Sequence, residues 1–241
     1  MPLDYEELDF RETPLGDLTL RRRRLRSLDN LEIYEIILGS GYLMSSLFTT
    51  VEIALADLAL DRLPRDSGEL SVAVGGLGLG YTAQAALADD RVADLIVVEA
   101  LPEVISWHEQ ELVPLGAQLS GDPRCHFVQG DFFALAASGG FDPSQPGRRF
   151  HAILLDIDHS PRNLIHEQHQ SFYSEAGLRK LKSFLKPQGI FAMWSDDPPD
   201  AEFEDLLKST FPHTDTTIVS FHNPLRDCQA ESTVYLAQDT C

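Results

Sequence analysis

Apolar residues in this chain gather in short runs separated by turn residues. From position 70 onward the runs are 70–74, 96–98 closing on Glu99, Cys125–Gln129, Phe150–Leu155 and 190–194. Each has the length of a buried strand. Helix-length segments stand between them: 81–87, a stretch opened by Pro102 and ended by Pro114 and Gly116, and 172–185. Alternation of this kind predicts an α/β fold with a Rossmann-like parallel sheet and helices on both faces. A helix near Ala201–Thr210 and two strands, 216–221 and 233–237, are expected to close the chain.

The first 67 residues follow a different pattern. Leu18, Thr19 and Leu20 begin a strand, Leu31–Leu38 is a second, and Gly39-Ser-Gly41 turns the chain into a third segment. Residues 46–60 have helical periodicity, with Leu47, Val51, Ala54, Leu55 and Leu58 able to share a face. Residues 64–68 (PRDSG) read as a linker. The expected organisation is a small β-rich N-terminal extension with a helix (1–67), then the Rossmann-like domain (68–241).

Polar features fall where the core strands end. The run 70–74 breaks into Gly75, Gly76, Gly78 and Gly80 before a helix begins. Such a loop lets a ligand approach the backbone and presents unpaired N–H groups. Glu99 closes the next strand, Asp131 follows the third, and Asp156, Asp158 and His159 follow the fourth. From Gly76 to Glu99, Asp131 and Asp156 the steps are 23, 32 and 25 residues, each about one strand–helix–strand unit. One acid at a strand end can be a helix N-cap. Four features in consecutive register point to the carboxyl edge of the sheet, where open α/β folds bind ligands.

Charge narrows the ligand. Thirty-eight acidic against nineteen basic residues leave a formal charge of −19. Such a field repels phosphate backbones, which argues against a nucleic-acid partner and is compatible with a cationic ligand. The dense cluster Arg21–Arg24 with Arg26 is read as pairing with the protein's own carboxylates on a strand's solvent face. Cys125, Cys228 and Cys241 lack metal-ligand spacing and a disulfide framework. The start of the sequence has no signal pattern and no run is long enough to span a membrane, so a cytoplasmic protein without membrane contact is expected.

The order GGLGLG, VVEA, QGDFF, LLDIDHSP and SFYSEAGLRKLKSFLKPQGIFAMW resembles the class I S-adenosylmethionine-dependent methyltransferase fold, and within it the spermidine synthase (polyamine aminopropyltransferase) branch. The resemblance implies a donor, S-adenosylmethionine or its decarboxylated form, and a small-molecule amine acceptor without a metal. It also implies a homodimer through the β-rich extension. It places Gly76, Gly78 and Gly80 under the donor's amino-acid or aminopropyl arm, Glu99 on the ribose hydroxyls, and Asp131 on the adenine amine with Phe132 near the ring. Asp156 would face the cationic end. Three acceptor-side features depart from that branch. Gly78 and His159 stand where aspartates are usual, and of a Tyr-His-Glu stretch only Glu52 remains. The rival implications are a methyltransferase of the same fold and a non-catalytic nucleoside-binding homologue.

An amine with a pKa near about 10 needs a base before it attacks. His159 has a suitable intrinsic pKa, with Asp156 or Asp158 to orient it or bind the acceptor. The alternatives are a loop histidine bonded to Asp156 and, for Asp158, a turn residue. His166 and His169 are spaced i, i+3 with no third ligand evident, which argues against zinc. Trp107 is expected in the core. Trp194 is read as either a wall of the acceptor site or a core residue, and Asp196 and Asp197 as cation-attracting or capping.

Overall fold

The computed structural model of the protein describes residues 4–239, so Cys241 lies outside the described residues. The N-terminal segment is an antiparallel meander of β1 (Tyr5–Thr13), β2 (Gly16–Leu25), β3 (Leu31–Leu38) and β4 (Gly41–Ser45), in that order across the sheet. The strand expected to begin at Leu18 starts at Gly16. β1 has only a weak hydrophobic signature: in YEELDFRET Leu8 packs against the core beside a register shift, and most other positions are polar. Strand alternation divides the arginines of β2 between the two faces. Arg21 and Arg23 reach Glu35 of β3 at 2.6 and 3.1 Å, while Arg22 meets Glu6 and Arg24 meets Glu32. The cluster is consumed by carboxylates, on both faces instead of one.

A helix, α1 (Thr50–Asp61), follows; it starts four residues later than the periodicity suggests. Its buried side chains are Val51, Leu55, Ala56, Ala59 and Leu60, with Ala54 and Leu58 only half-buried. They pack on the main sheet and on the first of its helices. The boundary expected at residue 67 therefore separates α1 from the sheet it covers.

That sheet has seven strands. β5 (Leu70–Gly75), β6 (Val92–Glu99), β7 (Cys125–Gln129), β8 (Phe150–Leu155) and β9 (Leu185–Ser195) are parallel; β10 (His213–Asn223) and β11 (Cys228–Gln238) form an antiparallel hairpin on β9. The order is β10-β11-β9-β8-β5-β6-β7. Between the strands run α2 (Tyr81–Ala88), α3 (Pro102–Glu109), α4 (Gly116–Gly121), α5 (Phe132–Ala137), α6 (Glu175–Lys182) and α7 (Ala201–Thr210). Two expected helices are shorter in the structure. The one opened by Pro102 stops at Glu109, because Glu111 turns left-handed at φ 59° and α4 starts separately. The one expected over 172–185 begins only after Ser174, whose hydroxyl accepts from Gly177 N at 3.1 Å, and Leu185 already belongs to β9.

Period two along the strands builds two cores. Val72, Val74, Leu95, Val97, Ala152, Leu154, Ile190 and Ala192 face α1 and α2, in a cluster that also contains Leu18, Leu20 and Ile36 of the small sheet. Ala73, Ile96, Val98, Ile153, Leu155, Phe191 and Met193 face a phenylalanine-rich layer under α5, α6 and α7. Among the described residues no helix is long and apolar enough to cross a membrane.

Candidate functional site

The chain leaves β5 towards β6 on one side, while β8 enters on the other, so a crevice opens at the carboxyl ends of β5 and β8. Gly76 N donates to Val98 O and Asp156 N to Gly75 O, each at 2.9 Å, which ties the three strand ends together. Gly76 has φ +94°, and a Cβ there would collide with the carbonyl oxygen of Asp156. A side chain at Gly75 would meet the Phe132 ring at 2.5 Å. These glycines let backbone lie against backbone and leave a cavity of about 570 Å³ above them. That is the size of a site for a nucleoside-sized molecule.

Gly76, Gly78, Glu99, Asp131, Phe132, Asp156 and His159 all border this cavity; Gly80 and Asp158 do not. Gly80 has φ +93° at the start of α2, and a Cβ on it would touch Leu119 and His108, so its role is packing. Glu99 Oε2 accepts from Leu77 N (3.0 Å) and Oε1 from Leu101 N (2.9 Å). Burial pushes its pKa up, and these loop N–H groups work against that rise. The N–H groups of Gly78 and Ala100 add to this cradle. Asp131 is both an N-cap and a cavity residue: Oδ1 accepts from Phe133 N and Ala134 N, at 2.8 and 3.3 Å. Phe132 is 1% exposed and stacks on Phe141 with centroids 4.5 Å apart, so its ring belongs mainly to the core.

Asp156 Oδ2 accepts from the buried Thr82 hydroxyl of α2 at 2.6 Å. Facing the same cavity is Glu52, in the first turn of α1. Desolvation raises the Glu52 carboxyl to about 8, with the Asp156 charge adding to it, and desolvation raises Asp156 to about 6 against the Thr82 hydrogen bond. Near neutrality the two carboxyls hold about one negative charge between them. Apart from its place in the resembling Tyr-His-Glu stretch, nothing local marked Glu52. It reaches the site because α1 packs over the sheet.

Asp158 does not face the cavity. It is 1% exposed and binds Ile165 N (2.8 Å), His169 Nδ1 (2.8 Å) and the Tyr173 hydroxyl (2.9 Å). The strand ends at Leu155, so alternation no longer governs where residue 158 points. Instead of orienting His159, Asp158 fixes the loop over 157–172. His169 in turn stacks on Phe133 at 3.8 Å and forms cavity wall. His159 also borders the cavity, edge-on to Trp194 at 6.4 Å, with no hydrogen bond from its ring to either aspartate. Trp194 takes the wall position, whereas Asp196 and Asp197 lie outside the cavity. Trp107 is core, donating its indole N–H to Asp9 at 2.7 Å. Among the described residues no group of side chains is arranged to hold a metal ion.

One position beside the glycine loop was not signalled by sequence. Met44 of β4 accepts a hydrogen bond from Leu79 N through Sδ at 3.0 Å, and a Cβ on Gly78 would stand 2.7 Å from that sulfur. A thioether thus fills the space that a side chain at residue 78 would use.

No family model matches the sequence. Solved structures do match its fold. A spermidine synthase in complex with the transition-state analogue AdoDATO superposes with a TM-score of 0.72 over 96% of this chain and 73% of that one, at 16% identity. Spermidine synthase from Thermotoga maritima gives 0.69 over 96% and 72%, at 16% identity. A probable spermidine synthase from Corynebacterium glutamicum gives 0.64 over 99% and 81%, at 14% identity. The small antiparallel sheet, the parallel core and its terminal hairpin together thus make the fold of this chain that of the spermidine synthases, a class I methyltransferase-type sheet with an N-terminal β extension.

Proposed function

We propose that the protein is a transferase that binds an S-adenosyl donor and moves its alkyl group to a small-molecule amine. The observation that carries this reading is the cavity's charge. Glu52, Glu99, Glu103, Asp131 and Asp156 border it, and among the described residues no lysine or arginine does. A Gly-rich loop in that setting repels the pyrophosphate of a dinucleotide and accommodates a cationic nucleoside. The same imbalance favours a decarboxylated donor, since no lysine or arginine is present to pair a donor carboxylate.

The roles follow from where the carboxylates stand. Glu99, on the cavity edge and fixed by loop N–H groups, is an acceptor for the two ribose hydroxyls. Asp131 uses Oδ1 as a cap and keeps Oδ2 for the adenine amine. The donor, when bound, supplies a carbon activated by an adjacent sulfonium. Asp156 and Glu52 attract the ammonium of the acceptor and take its proton, which a carboxyl raised towards neutrality does well. His159 and Trp194 wall the acceptor's approach.

A methyltransferase is the second reading, and Met44 favours it: beside Gly78 there is a thioether where a carboxylate would hold an aminopropyl ammonium. Incubation with each donor and a panel of amines separates the two. Methylthioadenosine formed from the decarboxylated donor supports aminopropyl transfer; S-adenosylhomocysteine supports methyl transfer. Glu99→Gln is expected to weaken nucleoside binding by about 1–3 kcal/mol, measured by calorimetry. Unchanged affinity would remove the ribose assignment, and no turnover with any amine would leave a nucleoside-binding protein.

A further inference from the structure

The small sheet supplies a whole wall of the cavity, and that wall is uncharged. Pro14 and Leu15 come from the turn between β1 and β2, Ile36 and Leu38 from β3, and Leu43 and Met44 from β4. The arginines of β2 in the same sheet are engaged with its carboxylates. Arg21 and Arg23 are held by Glu35, Arg22 by Glu6, and Arg24 by Glu32. The carboxylates that do border the cavity stand elsewhere: Glu52 on α1, Asp156 after β8, Glu99 and Glu103 on the β6–α3 edge, and Asp131 after β7.

We propose that the acceptor is a monoamine with an apolar body, its ammonium between Glu52 and Asp156 and its hydrocarbon against the small sheet. This rests on the reading of the cavity as a group-transfer site and names the substrate class for it. A second ammonium further along the acceptor would lie among leucine, isoleucine and methionine side chains, and the small sheet offers it no carboxylate; Glu103, whose Oε2 is buried without a partner, stands on α3 and not on that wall. Burying an unpaired ammonium costs far more than the apolar contacts return. A methylene in the same place gains from leaving water.

Met44 strengthens the point from the donor side. Its sulfur is bonded to Leu79 N and fills the space over Gly78, so the junction between the glycine loop and the small sheet is apolar too. The apolar wall is therefore continuous from the donor arm to the turn at Leu15.

Two amines of equal carbon length test the inference: hexylamine and hexamethylenediamine, titrated into the full protein by calorimetry. Each is run with and without saturating methylthioadenosine, and fluorescence of Trp194 at the cavity wall serves as a second readout. Hexylamine is expected to bind at least about tenfold more tightly than the diamine. Equal or tighter binding of the diamine, or no binding of either amine, overturns the inference. The nucleoside titration is scored separately. If methylthioadenosine fails to bind while hexylamine is still preferred, the transferase reading falls and the acceptor preference stands. Leu43→Glu adds a carboxylate to the small-sheet wall; with its melting temperature and nucleoside affinity checked first, it is expected to bring the two amines within about threefold. The wild-type comparison decides the matter if that variant does not fold.

Discussion

Glu52 and Asp156 give the cavity a pH response whose sign is fixed by their environment. Both carboxyls are raised, so over the range from about 5 to about 8 the folded protein holds protons that the unfolded chain has released. Stability must fall as pH rises through that window, and it is recovered on acidification. Glu52→Gln removes the larger part of the effect. The variant is expected to match the wild type near pH 5 and to exceed it at pH 8 by on the order of 1–3 kcal/mol, read from denaturant midpoints. A parallel pH dependence in the two proteins would show that Glu52 is not the titrating group. The sequence exposed part of this site and hid part. Glu99, Asp131 and Asp156 were legible because each closes or follows a strand, and strand ends converge on one edge. Glu52 was legible only through the resembling Tyr-His-Glu stretch, because it lies 104 residues from Asp156 on a helix whose docking no local pattern records. Asp158 was legible as a polar strand-end residue but not in its direction, since β8 ends at Leu155 and strand alternation does not carry on to residue 158.

At the level of elements, the loop over 157–172 is the part of the site with least regular structure and the most specific anchoring. Asp158 is its pin: one buried carboxylate takes hydrogen bonds from Ile165 N, His169 and Tyr173, and outside it Arg162 reaches Asp200 at 2.6 Å. Asp158→Asn keeps the shape but halves the acceptors. It is expected to cost about 1–3 kcal/mol in urea denaturation and to weaken nucleoside binding, because His169 and Phe133 lose their fixed wall position. Unaltered stability would mean the loop is held elsewhere. Elements with a strong apolar period were readable from sequence: Leu31–Leu38, Cys125–Gln129, Phe150–Leu155 and Ala201–Thr210 run over the same residues in the structure. β1 was not, because an edge strand with few apolar residues and a register shift at Leu8 carries too short a period to read. The helix ends misjudged near Glu109 and Ser174 were decided by a left-handed residue and a cap, which are local backbone choices.

For the whole molecule, the topology follows from the alternation of strand and helix, and the spermidine synthase fold agrees with it over nearly the full chain. What the alternation cannot convey is how the first sixty residues attach. Leu18, Leu20 and Ile36 of the small sheet share one apolar cluster with Val51 and Leu55 of α1 and with Val72 and Val74 of the large sheet. Contacts of that density leave no surface along which the two sheets can part without exposing buried hydrocarbon. Heat is therefore expected to melt the chain in one cooperative step, with calorimetric and van't Hoff enthalpies equal. Two resolved transitions would contradict this. Proteolysis near residues 64–68 should likewise yield no fragment that folds alone, so the linker visible in the sequence joins two halves of a single unfolding unit.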